Sequence, residues 1–538
     1  MQSADTGTVT SRHEAIVVGG GIAGLTAAAY LARGGLAPLL CERQSVFGGL
    51  VRTFERQGFW YDAGLRSIEN SGVVMPMLRD LGLQLDWIKS TVSLGIEDRR
   101  ITVESSASID AYQDLLGHVF PDNTQEIAAI AAEIRRVTAY MDVLYGIDNP
   151  LFHNLRADTG YVMRVLLPWL VRYALTVPRI AALSDPVEDH LRRFTPNASL
   201  IDIIAQHFFQ ATPTSFALGY FGLYADYHYP RGGTGRLPES LAAYAEAYGA
   251  RLAPGTEIVA VDPEGHTVTD AAGQVYAYRT LVWAADLHAL YRSIDTEAIQ
   301  SARLRRGIVE RRAALAGQHG GDSVYTLYLG LDLPPEYLAG RMSAHHFYTP
   351  SREGQSSAGP LPLGRSREEI LAWLDRFLGL TTYEISCPAL RDSTLAPAGQ
   401  SGLIVSLLFD YGLTKQIEEA GWYAEFREHV DQGMLSVLER SLFPGLSGAV
   451  VDRSSSTPLT LERLTGNTEG AITGWAFTNR TMPAENRTLA IARSVRTPLP
   501  DVFQAGQWTF SPSGLPISIL TGKLAADAAQ KAAARAGR

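Results

Sequence analysis

The clearest alternation of apolar and polar positions lies near the start of the chain. Glu14 to Val18 closes in a β-branched apolar run that stops at glycines, Ile22 to Arg33 is rich in Ala and Leu, and Leu36 to Glu42 is apolar again and ends on an acid. Strand, helix, strand in that order predicts a parallel βαβ unit. Further along, the pattern predicts a long amphipathic helix over Asn123–Tyr145 and another beginning within Asp185–Phe194, where Pro186 suits a first turn. Between them Tyr161–Ser184 is strongly apolar, carries Arg164, Arg172 and Arg179 and has no acid. Pro168 and Pro178 are expected to break that stretch into short helices. Tyr220–Tyr229 is aromatic-rich and leads into a Pro230–Gly233 turn, followed by a predicted helix over Leu237–Gly249 and short strands from Leu252 to Ala285. Ser351–Arg367 and Thr457–Trp475 read as loops, Trp422–Ser441 as a helix, Val502–Gly506 as a short strand and Pro516–Ala534 as a closing Ala-rich helix. No internal repeat is present.

Length changes the picture first: 538 residues exceed what one core holds, so two joined domains are expected. Apolar residues make up 46% and charged residues 19%, an ordinary globular balance. The net charge of −9 leaves no basic excess for counterion release, so nucleic acid is set aside as a partner. Cys41 and Cys387 are the two cysteines and neither lies in a C-x-x-C pair, which excludes a disulfide framework and points away from a structural metal. The polar opening MQSADTGTVTSR has no apolar signal region, and no run of about 20 apolar residues occurs, so a cytoplasmic location is expected.

The chemistry begins at Gly19-Gly20-Gly21-Ile22-Ala23-Gly24, which satisfies G-x-G-x-x-G between a predicted strand and helix. In that setting Gly19 permits the tight turn, Gly21 lets a pyrophosphate approach the backbone, and Gly24 allows close helix–strand packing. The helix start at Ile22 and Ala23 offers N–H groups and a positive dipole end to phosphates. Glu42, 18 residues past Gly24, ends the second strand and suits the ribose hydroxyls of an adenosine.

Past this point the chain resembles a known family. Glu42-Arg43-x(4)-Gly48-Gly49, then Gly58-Phe59-Trp60-Tyr61-Asp62-Ala63-Gly64, is similar to the flavoprotein superfamily of phytoene desaturases, carotenoid isomerases, retinol saturases and amine oxidases. The segment Val502–Ala526, containing Gly506-Gln507 and Gly514-Leu515-Pro516, looks like that superfamily's closing motif. The resemblance implies non-covalent FAD held by both ends of the chain, with Gly48, Gly49 and Leu50 along the cofactor and Ile258 on the strand near the adenine. The helix starting at Leu515-Pro516 would aim its positive end at the flavin. Gln507 stands where relatives often carry an acid or alanine. Leu50 stands where amine oxidases usually carry Arg, and Cys387 is far from the closing motif, so an amine oxidase with covalent flavin is disfavoured. Tyr229-Pro230-Arg231-Gly232-Gly233, and Ser456–Thr460 with Arg463 and Gly470, resemble segments of the desaturase, isomerase and saturase branch.

The expected fold is α/β. A Rossmann-like FAD-binding domain (βαβ unit, parallel sheet), assembled from residues 1–90, 229–290 and 481–538, is interleaved with an α+β substrate domain having a mostly antiparallel sheet and helices. Residues 91–228 are its helical, membrane-facing part and 291–480 its remainder. The expected activity is hydride transfer at flavin N5 that desaturates or saturates a C–C bond of a hydrophobic polyene or isoprenoid-like substrate. The alternatives are a redox-neutral double-bond isomerase, an amine or porphyrinogen oxidase, and a non-catalytic lipid carrier. His345, His346 and Arg231 are the candidates for proton transfer. Contact of Tyr161–Ser184 with a membrane surface is a further expectation. No second G-x-G-x-x-G offers an NAD(P)H site.

Overall fold

A computed structural model describes residues 9–536, so the first eight residues of the polar opening lie outside the described part. The chain divides into two compact units. One comprises Met1–Arg52, Gly235–Gly321 and Glu462–Arg538; the other comprises Thr53–Thr234 and Asp322–Leu461. The expected crossings at residues 90, 228, 290 and 480 therefore fall at 52, 234, 321 and 461. The first shift has a packing cause. Strand Thr53–Arg56 pairs with Phe59–Asp62, and Phe59 and Tyr61 of that hairpin bury against Tyr328 and Ile404 of the second unit's core.

The first unit is built on a seven-stranded sheet. Strands Arg251–Pro254, Leu39–Glu42, Val9–Val18, Val275–Trp283 and Val502–Gln504 run parallel in that order. The hairpin Ile258–Asp262/Thr267–Asp270 pairs antiparallel along the first half of Val275–Trp283. Ala15, Ile16, Val17 and Leu40 are fully buried, as a parallel strand covered on both faces requires. Helix Ile22–Arg33 buries eleven of its twelve residues, which is why its sequence is apolar on every side rather than striped.

The second unit carries another seven-stranded sheet, in the order Val450–Ser456, Ser323–Leu331, Ser401–Phe409, Tyr383–Ser386, His345–Thr349, Val92–Ile96, Arg99–Val103. All its pairings are antiparallel except His345–Thr349 with Val92–Ile96. One face presents Tyr325, Leu327, Leu329, Val405, Leu407 and Ile385 to a core shared with helices Arg367–Leu378 and Tyr423–Ser441. Ser366 and Glu369 close a capping box at the start of the first of these helices. A second core joins helices Ser108–Val119, Thr124–Tyr145, Ala198–Ala205 and Thr214–Tyr224. The Thr457–Trp475 segment is not all loop, since Pro458–Thr465 is helical.

Residues 159–181 correct the expectation of a broken helix. Thr159–Tyr161, a π-helical turn Val162–Leu166 and the α-helix Leu167–Ala181 follow one another without interruption. Pro168 falls at the junction where the wider π turn passes into the α-segment, so its missing donor coincides with the change of hydrogen-bond ladder. Pro178 lies near the other end, and its carbonyl still accepts from Ala182 N at 3.1 Å.

Candidate functional site

The glycine turn of the first unit has the geometry that the motif requires. Gly19 has φ +103°, and a Cβ there would lie 2.7 Å from the Ala284 carbonyl oxygen. A Cβ on Gly24 would lie 1.8 Å from the Gly19 carbonyl oxygen, so this position is closed to any side chain. Gly21 differs: its φ −74° and ψ 179° suit any residue, and a Cβ would meet nothing within 4 Å. No side chain caps the helix that starts at Ile22, and no acid occupies its first turn. An uncapped N-terminus facing open space at a glycine fits a diphosphate.

The second glycine pair packs on the first. Gly48 N donates to the Gly20 carbonyl at 2.8 Å, and Gly49 approaches the Gly21 Cα so closely that a Cβ would lie 3.3 Å away. Gly48 and Gly49 have φ +114° and +59°. Leu50, half-buried, follows in the turn closed by Val51 N on the Gly48 carbonyl at 2.9 Å. Glu42 is buried and accepts from Gly20 N at 2.6 Å and Gln44 N at 2.8 Å. A carboxylate has about four acceptor positions, so two remain for the vicinal hydroxyls of a ribose. Arg43 instead donates to the Arg463 carbonyl at 2.9 Å and lies 3.9 Å from Glu257, so it ties two loops together. Thr256 N donates to the Glu42 carbonyl at 2.7 Å, which brings the start of the Ile258 strand beside the same carboxylate.

The terminal segment completes the site. Gly506, φ +96°, sits where a Cβ would lie 3.3 Å from the Ala23 Cβ, and its N–H donates to Thr521 Oγ1 at 2.9 Å. Gln507 Nε2 reaches the Ala471 carbonyl at 3.4 Å. The helix Leu515–Ala536 begins after Gly514, whose carbonyl accepts from Ser518 N at 3.0 Å. It lies along Ile22–Arg33. A Cβ on Gly522 would lie 2.5 Å from the Ala23 carbonyl oxygen, and Gln530 Nε2 donates to the Tyr30 carbonyl at 2.8 Å. Contacts advance together along both helices, so the two run parallel with their positive ends at one end. Thr521 and Gly522 were not singled out from sequence. Their signal was a glycine inside an Ala-rich helix, a placement that costs about 1 kcal/mol unless close packing requires it.

In the second unit, Asp62 explains why two separated motifs coexist. Its carboxylate accepts from Thr53 Oγ1, Thr234 N, Thr234 Oγ1 and Tyr229 Oη, at 2.8–2.9 Å, joining the Gly58–Gly64 segment to the Tyr229–Gly233 turn. A Cβ on Gly233 would lie 2.4 Å from Thr53 Oγ1.

The proton-transfer candidates separate clearly. Arg231 forms a surface ion pair with Asp86 at 2.8 Å. His346 points to the apolar core face, with Nδ1 2.8 Å from Ser93 Oγ, and burial pulls it down to about 4. Arg231 thus sits in an exposed ion pair and His346 in a packed core. His345 points to the opposite face, beside a cross-strand row of mostly polar residues. Thr326, Ser406, Glu384 and Phe347 are cross-strand neighbours there, and His345 pairs with Ser386 in the next row. His345 Nδ1 lies 3.2 Å from Ser67 Oγ, and Nε2 lies 3.0 Å from Glu384 Oε1. Burial lowers the His345 pKa despite Glu384. Burial raises Glu384, but His345, Arg66 and Arg391 outweigh it and hold the carboxyl below its usual range. The aromatic run serves mostly as packing around His345: Tyr224 and Tyr227 are buried, and Tyr227 and Phe347 lie 5.3 Å and 5.0 Å from the His345 ring.

A largely parallel sheet, an open glycine turn at an uncapped helix start, a buried carboxylate at the end of the next strand and a second helix starting beside the first fit an FAD-binding flavoprotein. The profile of the flavin containing amine oxidoreductase family matches residues 22–336, and the chain belongs to that family. Among curated proteins, the chain is 24% identical to the phytoene dehydrogenase of Streptomyces griseus, covering 95% of this chain and 94% of that one. It is 24% identical to prolycopene isomerase 2 of an Oncidium hybrid cultivar (85% and 74%) and 22% identical to the all-trans-retinol 13,14-reductase of Danio rerio (92% and 82%). Among solved structures, putrescine oxidase aligns at TM-score 0.59 and 14% identity over 98% of this chain and 100% of the other. Reduced UDP-galactopyranose mutase aligns at 0.55 and 14%, covering 98% of each chain. These structural likenesses concern the fold. The chain is an FAD-dependent oxidoreductase.

Proposed function

We propose that this oxidoreductase desaturates or saturates a C–C bond of a hydrophobic, isoprenoid-like polyene. The observation that carries the reading is the near end-to-end alignment with a phytoene dehydrogenase, 95% of this chain against 94% of that one. The alignment with a retinol reductase supports the same substrate class. When bound, the flavin supplies a centre that takes up or releases hydride. The chain's own part is to hold the diphosphate at Gly21 and the start of the Ile22–Arg33 helix, and the ribose at Glu42. The Leu515–Ala536 helix start adds a positive end that favours the reduced, anionic ring. His345, with Nδ1 3.2 Å from Ser67 Oγ and Nε2 3.0 Å from Glu384 Oε1, can hold a proton between its ring and that carboxylate. Redox-neutral isomerisation is the second reading, favoured by the likeness to prolycopene isomerase.

The test is anaerobic incubation of the flavin-loaded protein with linear carotene precursors and with retinol, following the visible band of oxidised flavin. Bleaching by a polyene indicates desaturation. Reoxidation of pre-reduced flavin by a polyene indicates saturation. Turnover of pre-reduced enzyme without reoxidation indicates isomerisation and removes the first reading. Absence of any flavin response or product with either substrate class overturns the proposal.

A further inference from the structure

The helical stretch of residues 159–181 turns its most apolar side outward. Met163, Leu167, Leu170, Val171 and Leu175 are 64%, 45%, 43%, 63% and 63% exposed. Elsewhere among the described residues, large apolar side chains at such exposure are scattered, as at Val46, Trp60, Val309 and Leu489. Scattered exposure is ordinary, whereas a continuous stripe marks an interaction surface. The opposite side of the helix is anchored: Trp169 Nε1 donates to the Val143 carbonyl at 2.5 Å, and Thr176 is buried. At about 100° per residue, the five outward residues span an arc of roughly 140°. Arg172 and Arg179 border that arc, and Arg164 lies within it.

Charge identifies the partner. The chain as a whole carries −9, yet residues 159–184 contain three arginines and no acid. An acidic protein that gathers cations around an apolar stripe is complementary to a surface that is apolar within and anionic at its edge. A second copy of this chain fits worse: a two-fold contact through the stripe would bury Arg164, which lies within the arc, with no acid in the stretch to pair it. No described helix is long and apolar enough to cross a membrane, so the stretch would lie in the surface plane.

We infer that residues 159–181 dock the protein on a bilayer containing anionic phospholipid, with the Met163–Leu175 stripe in the acyl boundary and the arginines at phosphates. The test is flotation of the full flavin-loaded chain with phosphatidylcholine vesicles, with and without phosphatidylglycerol. The wild type is expected to float with anionic vesicles and to be released by salt. Arg172→Gln/Arg179→Gln should weaken that binding about 25-fold, each arginine near such a surface being worth about fivefold. Leu170→Glu/Leu175→Glu should abolish it. Retained flavin absorbance and melting temperature in both variants separate lost docking from lost folding. Wild type that stays in the aqueous fraction, variants that float like wild type, or a dimer dissolved by Leu170→Glu/Leu175→Glu without any flotation would each overturn the inference.

Discussion

Gly21→Ala puts two consequences of the glycine turn in opposition. The residue has an extended backbone that alanine adopts freely, and an added Cβ meets no atom within 4 Å. In the cofactor-free protein the substitution should therefore stabilise, by about 0.4–1 kcal/mol, because alanine has less freedom to lose from the unfolded chain. In the holoprotein the same methyl enters the space assigned to the diphosphate. Forcing a methyl into a filled site costs about 1–3 kcal/mol, which weakens FAD binding about five- to 150-fold. Gly24→Ala is the contrast, since its Cβ would lie 1.8 Å from a carbonyl oxygen and should impair folding with or without cofactor. Melting of deflavinated protein reports the first effect, and titration of FAD by quenching of its fluorescence reports the second. If Gly21→Ala binds FAD as tightly as wild type, the diphosphate does not lie at this helix start. If its deflavinated form melts well below wild type, the space at Gly21 is not open.

Gly522→Leu should push the terminal helix off Ile22–Arg33, because the Ala23 carbonyl lies 2.5 Å from the Cβ position; retained flavin content after gel filtration checks this, and loss of flavin is expected. Asp62→Ala strands Thr53, Thr234 and Tyr229 as donors and, at about 1–3 kcal/mol for each buried group left unpaired, should lower the melting temperature strongly, whereas Tyr229→Phe, which removes one donor, should cost far less. Glu69, buried near Asp226, is pushed up to about 7 by burial from the ordinary 4.5. Its contribution to stability is full below about pH 4.5 and is lost as pH rises through about 7, a change of about 3 kcal/mol at most. Denaturant melts at pH 5 and pH 8 should show Glu69→Gln stabilising relative to wild type at the higher pH only; equal differences at both would refute that ionisation.

The nucleotide half of this protein was readable because its sequence signals are local and redundant. A strand, a glycine turn, an apolar helix and a terminal acid agree over Val9–Glu42, and each has one physical use. The closing motif was readable for the same reason, but Gly522 was not, since only the facing Ala23 carbonyl shows what its bareness serves. The unit boundary at Arg52 was hidden because no linker marks it: the chain changes cores at the residue where the Thr53–Asp62 hairpin begins. The continuity of residues 159–181 was hidden by two prolines whose effect depends on helix position, which composition does not convey. His345 and His346 are adjacent, and only the strand's orientation decides that one joins a polar row and the other a packed core.

The parallel pairing of the first and last helices has a consequence for biosynthesis. Strand Val502–Gln504 and helix Leu515–Ala536 are the last described parts of the chain to be made, and the first helix packs along the second of them. At about 5–20 residues per second, roughly 25–100 s separate Arg33 from the end of the terminal helix at the ribosome. Through that interval the largely buried Ile22–Arg33 helix lacks its neighbour. Flavin loading is therefore a late event, since the Ile22–Arg33 helix gains its parallel neighbour only once Leu515–Ala536 has been made.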